Sequence, residues 1–141
     1  MAIQSHRDLI VYQKAMDLAH EIFLLSKGFP REELYSMTAQ FRDCTRSVAA
    51  NISEAWRKRR YKAAFIAKLS DVETEAAEAQ AWMEMALRCG YCTVDQFEQI
   101  FQRYERLIGS IVGMIDNAKK WCRVSKVVKE TVEPYDLPPS A

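Results

Sequence analysis

The chain has 141 residues, with 20 Lys and Arg against 19 Asp and Glu for a formal net charge of +1, a hydrophobic fraction of 49%, and only four Gly and four Pro. That is the length of one domain with enough apolar material for a core, and the residue usage excludes collagen-like, linker-like, disordered and many-turned all-β chains. No run of about 18 apolar residues is present to span a membrane, and the start Met1-Ala2-Ile3-Gln4-Ser5-His6 lacks the basic and apolar regions of a secretory signal, so the expected location is the cytoplasm.

Ser5 followed three residues later by Asp8 has the form of a capping box, and Tyr12, Ala15, Met16, Ala19, Ile22 and Phe23 recur at helical spacing after it. They predict a first helix over about 7–28, closed by a left-handed Gly28 with Pro30 just beyond. Pro30-Arg31-Glu32-Glu33 can open a short turn, and Ser36 is the expected cap of a second helix over about 36–57. Its apolar stripe is Met37, Phe41, Cys44, Val48, Ile52 and Trp56. Tyr61, Phe65, Leu69, Val72, Ala76, Ala79, Met83 and Leu87 make a third stripe, over about 61–89, ending at Gly90.

Neither Gly nor Pro separates the second and third helices, so the break at 57–61 is inferred from length alone. One helix from Ser36 to Cys89 would run on the order of 80 Å, too long for a globular chain of this size. Thr93 with Gln96 forms another capping box and opens a fourth helix over about 93–123. Residues 124–141 lack helical periodicity, hold three of the four prolines, and read as an extended or disordered tail. Residues 1–123 then form an all-α, up-down-up-down antiparallel four-helix bundle with more apolar surface than one bundle hides, which predicts self-association.

Helix two departs most from a plain amphipathic pattern. At about 100° per residue, Gln40, Ser47, Asn51 and Glu54 fall on one border of the apolar face, and Arg42, Arg46, Ser53 and Arg57 on the other. Either both borders are solvated, or the first is a polar network against another helix or subunit, in which buried Asn51 and Glu54 must find partners. Arg57-Lys58-Arg59-Arg60-Tyr61-Lys62 holds five cations in six residues, and Lys119, Lys120 and Arg123, with Lys126 and Lys129, form a second cluster at the end of helix four. An up-down bundle brings those two ends together beside Trp56, Tyr61 and Trp121. Such a patch can grip phosphates and stack bases, or be only a solvated helix end. The acids Asp71, Glu73, Glu75, Glu78 and Glu84 concentrate on helix three.

Other chemistry finds little support. Cys89-Gly90-Tyr91-Cys92 is a CxxC, but no further pair stands at a zinc-ligand spacing and no βαβ setting exists for redox work. The two thiols are better read as small apolar residues beside a turn. His6 and His20 have no nucleophile partner at helical spacing, and Gly28, Gly90, Gly109 and Gly113 are too scattered for a phosphate loop. Gly109 and Gly113 form a small-xxx-small pair, expected to pack closely on another helix.

Asp8-Leu9, Val11-Tyr12-Gln13-Lys14-Ala15, Phe29-Pro30-x-Glu32, Met37-Thr38-Ala39-Gln40-Phe41-Arg42 and above all Ser47-Val48-Ala49-Ala50-Asn51-Ile52-Ser53-Glu54-Ala55 are familiar together. Over residues 7–120 the chain resembles the bacterial four-helix-bundle family first described as proteins encoded by intervening sequences within 23S ribosomal RNA genes. Ala49 stands where that family commonly has Pro, and Ala55 where it usually has Gly. The resemblance implies a homopentameric ring, and kinship with accessory proteins of diversity-generating retroelements, basic pentamers that bind reverse transcriptase and nucleic acid. It carries Gln40, Ser47, Asn51 and Glu54 over as structural or interface residues, with no catalytic role.

The expected function is therefore a non-enzymatic, cytoplasmic, oligomeric protein without cofactor, metal or small-molecule substrate. It is expected to contact RNA or a nucleoprotein through Arg42, Arg46, Arg57, Lys58, Arg59, Arg60, Lys62, Lys119, Lys120 and Arg123. The rival expectation is a protein-interaction scaffold or accessory subunit that binds no nucleic acid itself.

Overall fold

The computed structural model describes residues 2–122; Arg123 and the 124–141 tail lie outside the described residues. The protein is all-α, with four long helices, α1 (Ile10–Ser26), α2 (Met37–Arg57), α3 (Lys62–Arg88) and α4 (Val94–Asp116), followed by a single turn, α5 (Ala118–Trp121). Short 3-10 turns at His6–Asp8 and Arg31–Glu33 precede α1 and α2. No strand occurs among the described residues.

The helices run alternately up and down around one core. Arg42 near the start of α2 bonds Ser26 at the end of α1, Lys68 of α3 bonds Asn51 of α2, and Gln80 of α3 reaches Phe101 and Glu105 of α4. α3 lies between α2 and α4, while α1 packs mainly on α2 and more thinly on α4. Phe41, Phe65, Leu18, Ile22, Leu69 and Tyr104 are fully buried at the centre. Burying such side chains removes about 1.5–3 kcal/mol each of apolar exposure, which is what makes the four amphipathic stripes converge. No helix among the described residues is long and apolar enough to cross a membrane.

Several helix ends differ from the sequence expectation. The Ser5–Asp8 capping box forms, with Asp8 accepting the backbone N–H of Gln4 and Ser5, bonds that hold its carboxyl below the usual range. It caps the His6–Asp8 turn rather than α1, because Leu9 is extended at φ −72°, ψ 127° and drops into the core at 3% exposure. α1 therefore begins at Ile10, not near residue 7.

Gly28 is not left-handed. The end of α1 tightens instead through three i→i−3 bonds, from Lys27, Gly28 and Phe29, as Phe29 turns inward onto Phe41 and Tyr91. Ser36 occupies the N-cap of α2 but its side chain makes no capping bond. The one positive φ among the described residues is at Gly90, 78°. There Tyr91 N–H bonds Ala86 and Gly90 N–H bonds Leu87, the paired bonds of a Schellman motif closing α3.

The turn between α2 and α3 has no Gly because a side chain closes it. Arg59 Nε donates to the Trp56 carbonyl at 2.8 Å, satisfying one of the acceptors that a helix end leaves open. α4 opens at the Thr93–Gln96 capping box, with bonds of 3.1 and 2.9 Å. It does not continue to residue 123: Asn117 breaks it, its side chain donating back to the Gly113 carbonyl at 2.8 Å before α5 begins. Gly109 and Gly113 do not pack against a neighbouring helix of the same chain, since a Cβ at either would meet nothing within 4 Å.

Candidate functional site

On α2 the border carrying Gln40, Ser47, Asn51 and Glu54 is only partly a network. Gln40 and Glu54 are exposed, and Ser47 and Asn51 are half-buried. Asn51 and Glu54 meet through a residue that the sequence did not single out, Lys68 of α3. Its ammonium donates to Asn51 Oδ1 at 3.4 Å and stands 3.7 Å from Glu54 and 3.9 Å from Asp71. Gln40 and Ser47 take no part in this cluster. With two exposed carboxylates, each ion pair contributes about 0–1 kcal/mol, so the cluster sets how α2 meets α3 more than it stabilises the fold. The available signal was that Lys68 is the one cation of α3 between its first residue and its last.

The opposite border meets α1. Arg42 Nε donates to Ser26 Oγ at 2.7 Å, and its guanidinium lies 4.8 Å from the centre of the Phe23 ring. Lys27 lies 4.8 Å and Arg46 5.8 Å from the same ring, and His20 stacks beside it at 6.2 Å. Three cations thus surround one half-buried phenyl ring. Arg46 and the ring itself line a groove of about 480 Å³ between α1 and α2, together with Tyr12, Met16, His20 and Ser53 among others. Phe23 and Lys27 were absent from the expected site, although Tyr12, Met16, His20, Phe23 and Lys27 follow one another at steps of three or four along α1.

Arg57, Lys58, Arg60 and Lys62 are exposed at the α2–α3 turn. Arg59 differs: its guanidinium lies over the Trp56 ring at 3.3 Å, and burial holds its pKa below the usual Arg range. The α5 end comes to the same place. α5 packs on α3 and α4, and Arg59 and Lys62 stand near enough to Cys122 to pull down a thiol pKa that burial pushes up. Lys119 and Lys120 are exposed on α5. A second hollow, of about 380 Å³, is lined by His6, Ser53, Glu54, Arg57 and Lys58.

Arg42 and Arg46 are not in that patch. They stand 11 to 15 residues before Arg57, about 17–22 Å back along α2 at 1.5 Å per residue. On α3 the acids crowd one another: burial first, then Glu78 and Asp71, raise the Glu75 pKa.

Among the cysteines, Cys92 packs against the core whereas Cys89 is exposed at the Gly90 turn, so packing accounts for only one of the two. Cys44 is buried, its thiol pushed up to about 12 chiefly by burial and then by Glu78 and Glu75, which disfavours the reactive thiolate. Among the described residues no three His, Cys, Asp or Glu side chains gather as a metal site.

A family model described as 23S rRNA-intervening sequence protein matches residues 7–113. The chain is also similar to a solved structure of a protein of unknown function from the S23 ribosomal protein family of Bacteroides thetaiotaomicron VPI-5482. The two are 30% identical, with a TM-score of 0.69, and the match covers 76% of this chain and 96% of that one. No curated protein matches the chain.

Proposed function

Because the chain belongs to the 23S rRNA-intervening sequence protein family, we propose that it is a non-enzymatic cytoplasmic protein that contacts RNA or a nucleoprotein, assembled as a homopentameric ring of four-helix bundles. The RNA reading is supported by the exposure of Arg57, Lys58, Arg60 and Lys62 at the α2–α3 turn and of Lys119 and Lys120 on α5, which packs on α3. Cations concentrated this way neutralise phosphates and release counterions, the main source of sequence-independent affinity for nucleic acid. Self-association is supported by large apolar side chains left outside the core, among them Ile10 at 67%, Leu24 at 51% and Val94 at 58% exposure.

The test is RNA binding by the intact oligomer across a salt series, with wild type compared to a variant carrying Arg57→Gln, Lys58→Gln and Arg60→Gln. Arg59 is left in place because it closes the end of α2. Losing three phosphate contacts should flatten the slope of log K against log salt by roughly 2–3. Absent or salt-independent binding would refute the RNA reading and leave a protein-interaction scaffold. A monomer by light scattering would refute the ring.

A further inference from the structure

The two hollows beside α2 are one track. Both are lined by Ser53, and the aromatic walls join where His6 of the second meets Tyr12 of the first edge-on at 4.8 Å. Along one wall run His6, Tyr12, His20 and Phe23; along the other run Arg46, Arg57 and Lys58, with Arg42 and Lys27 at the far end over Phe23. The two carboxylates of α1 are turned away. Glu21 of α1 pairs with Arg103 of α4, and Asp17 acts on the same guanidinium. Glu54, the one acid lining the track, is 3.7 Å from Lys68.

We infer that this α1–α2 track binds single-stranded nucleic acid, with bases stacking on the His6–Tyr12–His20–Phe23 wall and phosphates on Arg42, Arg46, Arg57 and Lys58. The inference rests on the RNA-contact reading and names the strand form and the path. Aromatic faces opposite a row of cations are what a single strand needs, because every unpaired base offers a flat face while the phosphates follow at regular intervals. A duplex keeps its base faces stacked inside and cannot present them to rings set in a groove. From Arg42 to Arg57 the track is about 22 Å long, 15 residues at 1.5 Å each. That holds on the order of four nucleotides, the low end of single-strand site sizes. The end patch of Lys62, Lys119 and Lys120 then continues the path for the phosphates beyond.

The experiment is fluorescence anisotropy of the intact oligomer with a labelled 12-nucleotide RNA that cannot self-pair and with the same sequence as a duplex, at matched salt. The variants are Phe23→Leu, Arg46→Gln and, as a control on the exposed end of α3, Arg88→Gln. The single strand should bind at least about tenfold tighter than the duplex. Phe23→Leu should weaken single-strand binding by about five- to tenfold with an unchanged salt slope, as loss of one stacking platform requires. Arg46→Gln should lower the slope by about 0.7, one single-strand phosphate contact. Arg88→Gln should change neither.

RNA binding that ignores strandedness and both groove substitutions overturns the track while the end patch stands. No RNA binding at all overturns both. If Phe23→Leu or Arg46→Gln changes the light-scattering mass, the groove is a contact between copies, and the inference is wrong.

Discussion

Tyr104 carries a testable cost. Its side chain is 0% exposed at the centre of the core, and its hydroxyl has no hydrogen-bond partner among the described residues. Burial drives its phenol pKa well above the usual value, with the neighbouring Cys44 thiol adding to the shift. A buried hydroxyl left unpaired costs about 1–3 kcal/mol. Tyr104→Phe removes that oxygen and keeps the ring. The void left, on the order of 10 Å³, returns only about 0.2 kcal/mol against it.

The expected result is a gain of about 1–2 kcal/mol, or a rise in Tm of roughly 3–6 °C for a domain of this size. Thermal and denaturant unfolding, followed by circular dichroism at equal protein concentration, read it directly. Equal concentration matters because any self-association would make Tm depend on it. An unchanged or lowered stability would show that the hydroxyl has an acceptor or an ordered water, and the cost assigned to it would be wrong.

Three further predictions concern the backbone and pH. Gly90→Ala should destabilise by about 1–2 kcal/mol, because φ 78° is left-handed, although a Cβ there meets nothing within 4 Å. Gly109→Ala, also facing open space but inside α4, should stabilise an isolated chain by about 0.8–1 kcal/mol. If it instead lowers stability and the light-scattering mass together, that face of α4 lies against another copy. Tyr91 donates to Glu33 at 2.9 Å, and that bond, followed by burial and the Glu33 charge, pushes its phenol up to about 12. The native state therefore keeps a proton that the unfolded chain releases near pH 10. Its contribution is complete below that pH and lost as pH rises through about 12. Unfolding followed from pH 9 to 12 should show wild type losing more stability than Tyr91→Phe; parallel curves would contradict the assigned bond.

The apolar periodicities of Met37 to Trp56 and Phe65 to Met83 made the long helices legible, because burial of a stripe is a signal repeated every three or four residues. The ends were less so, since each depends on one or two contacts. Gly28 was expected to close α1 by its own conformational freedom, but the inward turn of Phe29 decides the geometry there. The Arg59 bond to Trp56 replaces a glycine stop, and the Asn117 bond to Gly113 interrupts α4. Nothing local distinguishes such side chains from solvated ones. The two borders of α2 were visible as stripes, but their partners, Lys68 on one side and Phe23 with Lys27 on the other, come from helices whose rotation only packing fixes.

That rotation bears on the net charge of +1. A polyanion at the α2–α3 turn does not meet the average of 20 cations and 19 anions. At physiological salt the screening length is about 8 Å. From Lys62 to Glu75 along α3 is about 20 Å, 13 residues at 1.5 Å each, so the carboxylates from Glu75 onward are largely invisible at the patch. Asp71, nearer at about 14 Å, is held by Lys68. Glu21 is likewise occupied by Arg103 on the far side of α1. The charged side chains at the turn and lining the α1–α2 groove are therefore mostly cations, in a protein whose net charge is only +1. Raising salt should weaken RNA binding through the cations of α2 and α5 while leaving the fold, which rests on its apolar core, nearly untouched. Unfolding and RNA-binding curves recorded on one salt series separate the two, and a fold that loses stability in step with binding would contradict this division.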